Sequence, residues 1–234
     1  MIRTGVMLAA MATASLAQAV TVTAPNSSGP WNGYMNVFQL PSNGSGYVFG
    51  SGWGLPDLVS SFNDGAGTIT MAPNTIGDPN NFWYQNTTGT APDPVNPGGP
   101  GQKVNKSMQA NLYIEVNDNS LSGQSVTFEG VVLSNTYTSA HTASIFIRDF
   151  APDYSSSNDV FIPATPGPFS FSLATNPGPG RHVQYGFQTA GENVWVTDVA
   201  PFGNVVFGPA VPEPASALLV GAVSLFGLAL PRRR

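Results

Sequence analysis

The alternation of apolar and polar residues in the second half of the chain constrains the fold most. Leu112, Ile114 and Val116 alternate with Tyr113 and Glu115, and Ile145 and Ile147 with Phe146 and Arg148. Phe169, Phe171 and Leu173 alternate with Ser170 and Ser172, and Val183, Tyr185 and Phe187 with Gln184 and Gln188. An extended strand turns successive side chains to opposite faces, so this period of two marks strands with one face buried. Val126, Phe128 and Val132 share a face of another such run, and the residues from Val194 to Val199 and from Asn204 to Phe207 continue the pattern.

The first half is less regular. Val20 to Thr23, Tyr34 to Leu40, Thr68 to Met71 and Asn81 to Gln85 read as strands, and Gly44 to Gly54 is a Gly/Ser-rich stretch carrying Tyr47, Phe49 and Trp53. Asn86 to Gly101 holds Pro92, Pro94, Pro97 and Pro100 among four glycines, which excludes a strand and predicts a long surface loop. Turn-forming clusters separate the later strands: Asn117-Asp118-Asn119, Asp153 to Asp159, and Asn176 to Gly180. No helical stripe and no repeat interrupts residues 20–210. About ten to twelve short strands in one core predict an all-β chain, a single two-sheet β-sandwich of jelly-roll-like form.

The ends of the chain differ from this middle. Met1 to Ala19 has Arg3 as its only charge, an apolar stretch from Val6, and Ala17-Gln18-Ala19 as a small-x-small site. That is the plan of a signal peptide, helical in its apolar part and cleaved after Ala19. At the other end Pro212, Glu213 and Pro214 precede an uncharged run from Ala215 to Leu230, then Pro231 and the terminal Arg232, Arg233 and Arg234. As a helix the uncharged run spans about 24 Å, enough to cross a bilayer with modest thinning. The arginines favour the cytoplasmic side.

This tail, residues 211–234, resembles the PEP-CTERM sorting signal of exopolysaccharide-producing Gram-negative bacteria: a Pro-Glu-Pro motif, one hydrophobic helix and a short arginine-rich end, in that order. The resemblance implies that an exosortase, a membrane-embedded cysteine transpeptidase, recognises the chain while it is held transiently in the inner membrane. A second resemblance covers Ser125 to Phe207, particularly Gly191 to Asp198, which is similar to galactose-binding-like or carbohydrate-binding jelly rolls. It carries no ligand residue over.

Apart from Arg3 and the terminal arginines, residues 20–230 hold Lys103, Lys106, Arg148 and Arg181 against thirteen acids, a formal charge of −9. So acidic a region does not neutralise phosphates, so nucleic acid is not expected as a partner. There is no cysteine, which excludes disulfides, thiolate nucleophiles and thiolate metal sites.

Catalytic chemistry finds little footing. A Ser-His-Asp arrangement would draw on His182 and Asp198, yet no Gly-x-Ser-x-Gly elbow accompanies them, and His141 and His182 read as ordinary strand-edge residues. Glycoside hydrolysis needs paired carboxylates; Glu115, Glu129 and Glu192 are available, with Glu115 and Glu129 at outward strand positions. The oxygen-rich turns Asp78-Pro79-Asn80-Asn81, Asn117-Asp118-Asn119 and Ser157-Asn158-Asp159 suit Ca2+ in type, but such clusters serve equally as plain turns, so no cofactor is assigned. The aromatics are the better lead. Trp31, Trp53, Trp83, Tyr84 and Trp195 offer flat apolar faces near amides, the composition of a sugar platform, and Trp83, Tyr84 and Trp53 are the expected glycan contacts. The sequence therefore predicts an exported protein of the cell surface or extracellular matrix, structural or adhesive rather than enzymatic, with exopolysaccharide as its partner. The competing expectation is a secreted hydrolase acting on polysaccharide.

Overall fold

A computed structural model describes residues 18–78, 101 and 104–210. Ala17, the strand expected at 81–85 with Trp83 and Tyr84, most of the loop expected at 86–101, and the tail with Pro212, Glu213, Pro214 and Arg232 to Arg234 lie outside the described residues. Within them the strands are β1 (Ala19–Val22), β2 (Trp31–Gln39), β3 (Tyr47–Gly52), β4 (Ser60–Asn63), β5 (Thr68–Met71), β6 (Thr75–Ile76), β7 (Lys106–Val116), β8 (Ser125–Asn135), β9 (His141–Phe150), β10 (Ser157–Pro163), β11 (Gly167–Ala174), β12 (His182–Glu192), β13 (Val194–Trp195) and β14 (Val205–Gly208). The chain is mostly β, and two six-stranded sheets pack face to face.

One sheet is antiparallel throughout, in the order β10-β9-β12-β7-β2-β3. The other is built on β8. β11 pairs with one edge of β8, while the other edge is shared end to end by β1, parallel along Ser125 to Phe128, and β14, antiparallel along Val131 to Asn135. β5 and then β4 extend the sheet beyond β14. β6 and β13 form a short parallel pair of their own.

The period-two pattern explains the core. Met108, Ala110, Leu112 and Ile114 of β7 and Val183, Tyr185 and Phe187 of β12 are buried against Val126 and Phe128 of β8 and Phe207 of β14. Phe187 stacks on Phe207 with ring centroids 3.9 Å apart, and Phe128 meets the Tyr185 ring edge-on at 5.2 Å, so aromatic contacts bridge the sheets. Trp31, the first residue of β2, reaches Phe62 of β4 at 5.5 Å and anchors the other end of the core.

A buried ion pair closes one rim. Asp149 is fully buried; its Oδ1 accepts from Arg181 Nε at 2.6 Å, and its Oδ2 accepts from Asn176 N at 2.6 Å and Asn176 Nδ2 at 3.0 Å. Arg181 Nη2 also donates to the Asp149 carbonyl at 3.1 Å. Every oxygen of this carboxylate is occupied, the condition under which a buried charge is tolerated.

Two expectations shift. The strand expected over 194–199 is only Val194–Trp195, because Asp198 N donates to the Trp195 carbonyl at 2.8 Å and turns the chain. The turn expected from Asp153 to Asp159 ends early: Ser157, Asn158 and Asp159 already pair with Phe150, Asp149 and Arg148 in β10. Pairing with a neighbouring strand overrides their turn preference. Lys106 is fully buried at the start of β7, its Nζ donating to Asn105 Oδ1 at 3.0 Å. Among the described residues no helix is long and apolar enough to cross a membrane.

Candidate functional site

The outer face of the all-antiparallel sheet is unlike an ordinary solvated strand face. Register places its outward side chains in rows. One row runs Asp159, Arg148, Gln184, Glu115 across β10, β9, β12 and β7. The next runs Phe161, Phe146, Gly186, Tyr113. A third brings Gln188 beside Asn111 and Asn111 beside Tyr34. Over these rows lies a cleft of about 480 Å³. Its aromatic walls are Tyr34, Tyr113, Phe150 and Tyr154, and its polar lining is Asn36, Glu115, Arg148 and Gln184.

Two glycines shape it. A Cβ on Gly186 would collide with the Leu112 carbonyl oxygen and lie 2.7 Å from Tyr113 Cα, so only glycine lets β12 approach β7 where Tyr113 crosses the sheet. A Cβ on Gly50 would sit 2.9 Å from the Tyr34 ring and hydroxyl, so β3 leaves that ring a bed to lie on.

The far wall is the turn between β9 and β10. Ala151 N donates to the Ser156 carbonyl and Tyr154 N to the Ala151 carbonyl, both at 2.9 Å, while Asp153 Oδ1 accepts from Ser155 N and Oγ. This turn holds Tyr154 at φ +57°, a left-handed conformation that costs a non-glycine residue about 1–2 kcal/mol. The side chain is nonetheless fixed. Its ring stacks on His182 with centroids 4.1 Å apart, and its hydroxyl donates to Glu115 Oε1 at 3.0 Å and lies 2.8 Å from His182 Nδ1. Glu115 is saturated: Oε1 also faces His182 Nδ1 at 3.1 Å, and Oε2 accepts from Gln184 Nε2 at 2.6 Å. Burial, the bond to Glu115 and that carboxylate's charge push the Tyr154 hydroxyl up to about 12. Burial first, then the Glu115 charge, raises Tyr113 as well.

Arg148 sits at the floor. Its guanidinium carbon lies over the Phe146 and Phe161 rings, 4.5 and 4.7 Å from their centroids, and burial pulls its pKa below the ordinary arginine value. A second hollow of about 570 Å³, beside Tyr137 and His141, has no carboxylate, lysine or arginine in its lining.

Of the expected glycan and indole residues that are described, Trp53 and Trp195 lie away from the cleft. Trp53 is half-buried, its ring packed on the core and its Nε1 donating to Ser51 Oγ at 2.9 Å, and it does not line the cleft. Trp195 is likewise packed against the core. His182 opens β12 as a strand-end residue, but its partners are Glu115 and Tyr154, while Asp198 accepts from Gly101 N and Thr197 Oγ1, so no His182–Asp198 pair forms. His141 is buried, with Nε2 2.8 Å from the Glu192 carbonyl. Asp118 and Asn119 cap backbone amides of Ser120 and Gly180, as plain turns do, and among the described residues no three His, Cys, Asp or Glu side chains are placed to share a metal. Ala19, at the expected cleavage point, is the first residue of β1 and pairs with Ser125.

What the sequence reading passed over is the outward set of β7, β9 and β12. The residue types were visible in the alternation, but the pairing that brings Glu115, Gln184 and Arg148 into one row was not. Compared with protein-family models, with curated proteins and with solved structures, the chain matches none.

Proposed function

We propose that the chain is an exported protein of the cell surface or extracellular matrix, led across the inner membrane by residues 1–19 and sorted by an exosortase through residues 211–234. Its sandwich, jelly-roll-like in that the chain crosses repeatedly between the sheets from β7 to β8 to β9 and from β10 to β11 to β12, serves a structural or adhesive role by holding exopolysaccharide. The observation that carries the glycan reading is the cleft walled by Tyr34, Tyr113, Phe150 and Tyr154 with amides among them. Sugar rings place their C–H faces on such rings and their hydroxyls on such amides, and a site of this kind is concave and largely preformed. Binding is favoured over hydrolysis because Glu115, the one carboxylate that lines the cleft among the described residues, has both oxygens engaged by Tyr154, His182 and Gln184. A general acid or nucleophile needs an oxygen turned toward substrate.

The test is affinity electrophoresis of the full-length chain in detergent through gels containing dextran, galactan, xylan or alginate, with reducing-sugar release measured on the same polymers. Retardation by at least one polymer without sugar release is expected, and Tyr34→Ala or Tyr113→Ala should weaken it by about 1–3 kcal/mol. Sugar release would establish the hydrolase instead.

A further inference from the structure

Arg148 is a cleft group whose hydrogen-bonding capacity the described residues leave partly unspent, and the inference drawn from it rests on the glycan reading. Arg148 carries five N–H donors in a planar fork. Its side chain is only 15 % exposed, yet the hydrogen bond that it makes among the described residues is one of 3.3 Å, from Nη1 to Asn111 Oδ1. That acceptor is shared with Gln188 Nε2, which is closer at 2.8 Å. Asp159 stands 3.7 Å from Nε, and Nε is buried without a hydrogen-bond partner. A guanidinium withdrawn this far from water is costly unless acceptors take up its hydrogens. Glu115 does not serve, since its oxygens are committed to other donors.

The rings under Arg148 explain why the charge is held in place without being consumed. Phe146 and Phe161 support the guanidinium from the sheet side through their faces, which leaves its edges for hydrogen bonds. The acceptor that matches a planar fork is a carboxylate, bound through two parallel N–H···O bonds. Tyr113 and Tyr34 line the same cleft, where a sugar bearing that carboxylate can rest its ring.

We infer that the cleft is selective for an acidic sugar of the uronate class, with the carboxylate on Arg148 and the ring on the tyrosine wall. The surrounding domain is acidic, so general electrostatic attraction does not supply this preference; Arg148 must supply it locally.

The experiment pairs two uronate polymers, alginate and polygalacturonate, each with its carboxyl-reduced form, in which the carboxylates have become primary alcohols and the backbone is retained. Full-length protein in detergent is run against all four. Carboxyl reduction should weaken binding at least about tenfold for the polymer that binds. Arg148→Met should weaken binding to that uronate polymer to a similar degree and abolish the difference between that polymer and its reduced form. Arg148→Lys should recover only part of the loss, because a point charge lacks the fork. If the native protein holds reduced and unreduced polymers equally, or Arg148→Met keeps the preference, the acidic-sugar inference is overturned while the glycan reading stands. Retention by neutral polymers alone likewise overturns it, and retention by no polymer removes both. Should Arg148→Met fail to fold, the carboxyl-reduction arm decides alone.

Discussion

Arg148 and Arg181 approach opposite sides of the same strand, and the protein uses them in opposite ways. Arg181 meets Asp149 at 2.6 Å on the inner side of β9, and Asn176 fills the remaining valences of that carboxylate. Arg148 faces the outer cleft, keeps Asp159 at 3.7 Å and leaves Nε without a hydrogen bond. The inner pair is closed: nothing about it invites a ligand, and its role is to hold the rim where β9, β12 and the turn after β11 converge. The outer one is supported by rings and incompletely bonded. What marks a candidate site in an acidic sandwich is therefore an arginine's unfilled hydrogen-bonding capacity rather than its charge.

That contrast can be broken most directly at the acids. Asp149→Ala strands Arg181 in a buried position and should cost about 3–5 kcal/mol in urea-monitored unfolding. Asp159→Ala removes a longer contact, 3.7 Å, to an acid that is 32 % exposed, and should cost about 1 kcal/mol. Equal losses would mean that the two arginines are not used differently.

A smaller effect tests whether Glu115 resembles Asp149 in being saturated. The Tyr154 hydroxyl is raised to about 12 by burial and by Glu115, so Glu115→Gln should move one tyrosine titration, read by ultraviolet difference absorbance, down toward the ordinary value of about 10. The sign for stability follows. A raised folded-state pKa gives a contribution that is complete below about pH 10 and is lost as pH rises through about 12. Glu115→Gln should flatten that alkaline decline.

The smallest effect concerns Tyr154 itself. Tyr154→Phe keeps the left-handed backbone and loses the bond to Glu115, at about 1 kcal/mol. Tyr154→Asn also loses the ring but relieves a backbone cost of about 1 kcal/mol, because asparagine tolerates φ near +57°. Tyr154→Asn should therefore melt above Tyr154→Ala, which loses the same bond and ring without relieving the left-handed backbone; equal melting would show that the turn stores no strain.

The core was legible from sequence because burial imposes a period of two: the buried set of β7, from Met108 to Ile114, and of β12, from Val183 to Phe187, follows the alternation. The site was less legible for a topological reason. Glu115, Gln184 and Arg148 form a row only because β12 lies between β7 and β9, and nothing local to any of these strands specifies its neighbour. β10 was concealed further, since Ser157-Asn158-Asp159 has the composition of a turn; with it went Asp159 and Phe161, which flank Arg148. Gly186 alone gave no hint, because its requirement comes from the approach of β7.

The placement of β14 has a mechanical consequence. It lies between β8 and β5, and the chain leaves it at Gly208 toward the C-terminus. A pull along that exit meets hydrogen bonds on both sides of the strand at once, so they resist together in shear, whereas an edge strand would peel away one bond at a time. A tether attached beyond Gly208 therefore draws on the second sheet as a whole, and through the stacked Phe187 and Phe207 rings the load passes to β12, which carries Gln184 of the cleft.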